Sequence, residues 1–223
     1  MNYKTNHINQ TPEITDIYRD TIGYKTDGFF VEFGVGHTIG CGSNTGFLAD
    51  LGWNGLYFEP HVEYYNEALQ RHKNNDVKIY NYGVGSTHQN TMIYPGDTCF
   101  PEVHETFKSF GWLPKDYLEN YKTHMVTIKP VLEALEETGC PNRFDLLSVD
   151  VEGYELEIIK SMDFNKFRPK LIVIELRDLD MKFPLAQRKE SQECANIISI
   201  ADYNMFFRDK LNAFFVDLRE VDK

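Results

Sequence analysis

Asp150, Glu152 and Glu155 stand in a DxEGxE run directly after the apolar residues Leu146, Leu147 and Val149. Acids crowded at the end of a buried strand repel one another, a poor basis for a core and a reasonable way to hold a cation. Surface salt bridging is the alternative for Glu155. A further acid, Glu175, closes the apolar run at 171–174. Asp150 and Glu175 together suit either of two chemistries: binding a divalent cation that orients and acidifies hydroxyls, or direct proton removal by one carboxylate. The sequence leaves both open, as well as a structural role for Glu175 paired with Arg177. Asp150, Glu152 and Glu175 form the expected catalytic set, with Asp150 and Glu175 as the candidate metal ligands.

A glycine-rich stretch, Gly34 to Gly42, precedes Ser43, Asn44 and Thr45. Glycines admit a ligand close to the backbone, and a carboxylate about 20 residues further on can accept from both hydroxyls of a ribose. Glu59 stands where that acid belongs. The spacing is GxGxxxG rather than the dinucleotide GxGxxG, and a tight strand-to-helix turn would use the same glycines.

The positioning elements follow from periodicity. Thr11-Pro12-Glu13 signals a helix over 12–22, and Phe29–Phe33 is an apolar run broken only by Glu32, the pattern of a strand buried on both faces. Further strands are predicted at 56–59, 77–82, 145–150 and 171–176. Helices are predicted at 61–73, 131–138, 154–162 and 186–201. Two β-rich runs at 204–208 and 213–218, joined by a polar turn, read as a hairpin. Five strands alternating with helices and closed by an antiparallel hairpin predict an α/β fold with helices on both faces. Ligands of such sheets bind beyond the carboxyl ends of the strands, which is where the residues above lie.

The stretch 94–129 interrupts the alternation. It carries Phe100, Phe107, Phe110, Trp112, Tyr117 and Tyr121. Aromatic rings that stack on sugar faces would make 95–125 an acceptor lid, and a satellite core is the alternative for Phe107 and Phe110. Trp112, flanked by Gly111 and Pro114, is the better lid residue, and His104 is taken with it as acceptor-binding.

The chain has 223 residues, 42% hydrophobic and 26% charged, with no linker or repeat, which predicts one domain over 1–223 with a leading helical segment at 1–28. Lys and Arg number 23 against 34 Asp and Glu, a net charge of −11 that argues against nucleic acid as a partner. No apolar run approaches the roughly 20 residues of a membrane span. The N-terminal residues show no export signal, and the four dispersed cysteines show no metal or disulfide spacing, so a cytoplasmic location is expected. The oligomeric state is not readable.

Taken together, FFVEFGVG, GSNTGFLADLGWNGLYFEP, DLLSVDVEGYELEIIKSMDF, PKLIVIEL and the closing LNAFFV resemble the FkbM-type family of S-adenosylmethionine-dependent methyltransferases. The resemblance runs from about Phe29 to Val216. It implies a class I methyltransferase (Rossmann-like) fold, S-adenosylmethionine as cofactor, and methyl transfer to an oxygen, commonly on a saccharide or glycosylated metabolite. It also implies that Glu32, Gly34 and Gly36 line the methionine and ribose part of the cofactor, that Ser43, Asn44 and Thr45 open the helix beneath it, that Glu59 holds the ribose and that Asp150 borders the same cleft. The glycine loop departs from the family pattern, with Gly36-His37-Thr38-Ile39-Gly40 where an Asn or Asp is usual. Two other functions compete. A nicotinamide enzyme predicts a Tyr-x-x-x-Lys base, and Tyr121 is followed four residues on by Met125. A non-catalytic cofactor-binding domain is the other alternative, and the presence of Glu59 together with Asp150 speaks against it.

Overall fold

The fold is described from a computed structural model, which covers residues 14–23, 25–36, 43–111 and 113–220. The elements run α1 (Ile14–Ile22), β1 (Phe29–Phe33), α2 (Gly46–Asp50), β2 (Asn54–Phe58), α3 (Val62–Arg71) and β3 (Val77–Tyr80). An excursion follows: β4 (Gly83–Gly85), β5 (Gln89–Ile93), α4 (Pro101–Ser109), α5 (Lys115–Asn120) and β6 (His124–Pro130). The chain then returns through α6 (Val131–Glu137), β7 (Arg143–Val149), α7 (Glu155–Ser161), β8 (Arg168–Glu175), α8 (Leu185–Ile200), β9 (Tyr203–Arg208) and β10 (Asn212–Asp217).

The main sheet has the order β3-β2-β1-β7-β8-β10-β9. Its first five strands are parallel, and β10 and β9 are antiparallel. This is the α/β architecture expected from the sequence. Strand β1 is flanked on both sides, with Glu32 level with Tyr57 of β2 and Ser148 of β7. Its alternate residues feed two cores, as a period of two dictates. Val31 and Phe33 join Leu147, Val149, Ile172 and Ile174 under α6, α7 and α8, whereas Phe30 joins Leu146, Leu171 and Val173 beneath α1 and α2. Glu32 shares the Phe30 side and therefore faces the start of α2.

The chain leaves β1 toward β2 and β3 and later comes back to β7 on the other side, so the order reverses between β1 and β7. The carboxyl ends are zipped there, with Gly34 N donating to Phe58 O, Asp150 N to Phe33 O and Glu59 N to Tyr80 O, each 3.0 Å. Gly34 has φ +80°. A Cβ at this position would collide with the Asp150 carbonyl oxygen in a backbone region that costs an L residue roughly 1–2 kcal/mol. Gly34→Ala is therefore expected to abolish cooperative thermal unfolding, as followed by circular dichroism.

The second sheet, β4-β6-β5, was not anticipated. Its strand β5 is QNTMI and mostly solvent-facing, so apolar content alone does not reveal it. Strand β6 does alternate, with Val126 and Ile128 buried and Met125 and Thr127 exposed. Together with α4 and α5 this excursion stands beside the carboxyl edge of the main sheet. Val103 and Phe107 pack with Phe183 into the small core expected as the alternative to a lid. No described helix is long and apolar enough to cross a membrane.

Candidate functional site

Glu32 is fully buried and clamps the SNT segment. It accepts from Ser43 Oγ (2.7 Å), Asn44 N (2.7 Å) and Thr45 Oγ1 (2.5 Å), and Thr45 also bonds the Tyr57 hydroxyl. Burial raises the Glu32 carboxyl to about 7 in spite of these donors. Glu32, Ser43, Asn44 and Thr45 thus form one network that fixes the entrance to α2. The glycine-loop residues between them and Gly36, including His37, lie outside the described residues.

Glu59 follows β2, where Pro60 ends the strand. Its Oε2 accepts from Val35 N (2.9 Å) and Gly36 N (3.0 Å), and its Oε1 accepts from His61 N (2.8 Å). The side chain thereby ties the first glycine turn to the end of β2. Burial again lifts the carboxyl to about 7. Gly34, Gly36, Glu59 and Asp150 form the polar side of a first cavity, whose apolar side is built by Val84, Ile93, Ile128 and Tyr154.

Past β7 the chain turns sharply, and Glu152 sits at φ +53°, a costly backbone position for a residue with a side chain. Glu155 caps this turn by accepting from Val151 N (3.1 Å) and Gly153 N (3.0 Å), so it neither bridges at the surface nor stands idle. Oxygens of Asp150, Glu155 and Glu175 come within 4.8 Å of one another. The cation at this cluster is Arg177. Its guanidinium, 5% exposed, donates to Glu152 (2.7 Å) and Glu175 (2.6 Å) and lies against the rings of Phe107 and Phe183. Burial, with repulsion from Asp150 and Glu155, lifts Glu175 to about 8 although Arg177 opposes the shift. Burial and Glu175 likewise hold Glu152 well above the ordinary carboxylate range. Arg177 entered the sequence analysis only as a partner for Glu175; its two-residue offset from Glu175 was the signal.

A second cavity, about 420 Å³, adjoins the first, and Tyr64, Asp97 and Glu152 line both. Its remaining walls include Phe107, Tyr117, Glu175 and Phe183. Asp97, which the sequence analysis missed, has φ +58° and accepts from the Tyr64 (3.0 Å) and Tyr121 (3.3 Å) hydroxyls. The PGD turn was its only signal. His104 turns away from both cavities, pairing its Nδ1 with Pro95 O at 2.8 Å and stacking on Tyr94. Trp112 lies outside the described residues.

The three raised carboxyls set a pH dependence of stability. Glu32, Glu59 and Glu175 bind protons more tightly folded than unfolded, so folding stability is greatest below about pH 4.5 for these groups and is lost as pH rises through 7 to 8. Melting temperature is expected to fall between pH 5 and 8; a rise over that window would contradict these assignments.

The sequence profile described as the methyltransferase FkbM domain matches residues 35–205. No curated protein matches the chain. Among solved structures, an O-methyltransferase from Bacillus cereus in complex with SAH is similar at 12% identity and TM-score 0.50, over 96% of this chain and 84% of that one. The Methanococcus jannaschii fibrillarin pre-rRNA processing protein is 15% identical, with TM-score 0.43 over 86% of this chain and 67% of that one. At such identities the likeness to the Bacillus cereus protein speaks for the class I methyltransferase fold alone.

Proposed function

The chain belongs to the FkbM methyltransferase family and is an S-adenosylmethionine-dependent methyltransferase, and on that premise we propose that it methylates a hydroxyl of a saccharide or glycosylated metabolite. The observation that carries this reading is the junction of the two cavities at Tyr64, Asp97 and Glu152, with a slot of apolar and polar walls on one side and an aromatic, carboxylate-bearing pocket on the other. Rings and carboxylates together are what a polyhydroxylated acceptor requires, faces for its C–H surfaces and acceptors for its hydroxyls.

The residues of the first cavity fit the cofactor. Val84, Ile93, Ile128 and Tyr154 offer apolar walls for a purine, and Glu59, with three backbone donors already in place, keeps one lone pair on Oε1 for a ribose hydroxyl. Asp150 lines the same cavity and offers its carboxyl group toward a sulfonium. S-adenosylmethionine, when bound, supplies the electrophilic methyl group. Glu152 removes the acceptor hydroxyl's proton at the junction, and Glu175 shares the task of holding Arg177 beside it. A base whose carboxyl sits above the usual range is matched to a weakly acidic hydroxyl. Asp97, Phe107 and Tyr117 line the acceptor side, the second cavity. Arg177 supplies a positive charge to Glu175, one of the two candidate metal ligands, and to Glu152.

The test is transfer of labelled methyl groups from S-adenosylmethionine to a panel of methyl glycosides, with products identified by mass spectrometry. An O-methylated glycoside is expected. No transfer to any glycoside by protein that binds S-adenosylmethionine, or transfer to a glycoside nitrogen or carboxylate in place of a hydroxyl, would overturn the reading.

A further inference from the structure

The second cavity has a charge that narrows its occupant. Among the described residues its walls carry the carboxylates of Asp97, Glu152 and Glu175 and no lysine, arginine or histidine. Arg177 offsets part of this from behind the wall, through Glu152 and Glu175. Asp97 stands apart from that guanidinium pair and is held instead by two tyrosine hydroxyls, which burial keeps protonated and donating. The rings of Tyr64, Phe107, Tyr117 and Phe183 surround the acids. Aromatic faces are electron-rich, so rings and carboxylates attract the same partner, a cation, and neither stabilises an anion. A phosphate- or carboxylate-bearing acceptor would enter a pocket with no basic side chain on its described wall.

We propose that this cavity selects an acceptor bearing a protonated amine near the hydroxyl it presents, an amino sugar rather than a nucleotide-linked or uronic sugar, with Asp97 as the carboxylate that receives the amine. The proposal rests on the saccharide reading above for the word sugar, and on the cavity alone for the charge.

The protein saturated with S-adenosylhomocysteine, which permits no turnover, is titrated calorimetrically with two matched series. One comprises the methyl glycosides of glucosamine, glucose and glucuronic acid, and the other cyclohexylamine, cyclohexanol and cyclohexanecarboxylate. The amine is expected to bind about tenfold or more tighter than the neutral member in each series, as one charge-assisted contact provides, with the anion weakest. Asp97→Asn, which retains the left-handed backbone readily, is expected to cut that preference about tenfold, measured again at saturating S-adenosylhomocysteine. Should this variant not fold, Asp97→Gly, which adopts the same backbone without strain and also removes the carboxylate, carries the same expectation. If the sugars are silent while the cyclohexane series keeps its order, the saccharide reading falls and the charge selection stands. Equal binding across a series, tightest binding of an anion, silence from both series, or an amine preference unchanged in Asp97→Asn would each overturn the proposal.

Discussion

Glu152→Gln is expected to lower kcat by about 100-fold or more, the usual cost of removing a general base. The substitution preserves size at φ +53° and removes only the proton-accepting oxygen at the place where both cavities meet. The wild-type rate should climb with pH on the alkaline side of the ordinary carboxylate range, because burial and Glu175 hold the Glu152 carboxyl well above that range and it must be ionised to act, and the variant should lose that limb. A chelator should leave the wild-type rate unchanged. Loss of activity with EDTA and recovery with Mg²⁺ would instead favour a metal on Asp150 and Glu175. Near-wild-type turnover in Glu152→Gln, in a folded protein, would move the base to one of those two residues.

Arg177→Met carries the second large effect. The guanidinium is buried, bonds two carboxylates and lies on two rings, and methionine keeps the stem while deleting the charge. Glu152 and Glu175 would be left against Asp150 and Glu155 without a cation, and breaking a buried pair in this way costs about 3–5 kcal/mol. Urea unfolding at pH 7 should show that loss. The deficit should shrink at pH 5, where the stranded carboxyls are protonated, and a second change, Glu175→Gln, should recover part of it. A variant as stable as the wild type at pH 7 would mean that the cluster is solvated and that Arg177 is not its counter-ion.

The main sheet was legible because its strands are buried on both faces. Phe29–Phe33 reads as near-continuous apolar sequence and is β1 to the residue, and Leu146, Leu147 and Val149 mark β7 by the same signal. The exposed sheet was not legible, since β5 presents Gln89, Asn90 and Thr91 mostly to water and contributes one fully buried residue, Ile93. At the site, residue types at strand ends located Gly34, Glu59, Asp150, Glu152 and Glu175. What spacing could not supply was the direction of a side chain. Glu32 is adjacent to the glycine turn in sequence yet faces α2, because β1 alternates, and Glu59 spends its oxygens on backbone donors before any ligand arrives. Asp97 was hidden for a different reason: it comes from the excursion between β3 and α6 and reaches the site only through the tertiary fold, where Tyr64 from α3 meets it.

A crystal structure of the protein with S-adenosylhomocysteine tests the central claim most directly. The account predicts the ribose at Glu59, the purine between Val84, Ile93, Ile128 and Tyr154, and the sulfur at the mouth bounded by Tyr64, Asp97 and Glu152, with the second cavity left open in front of it. Sulfur directed away from that mouth, or a purine lying in the second cavity, would contradict it.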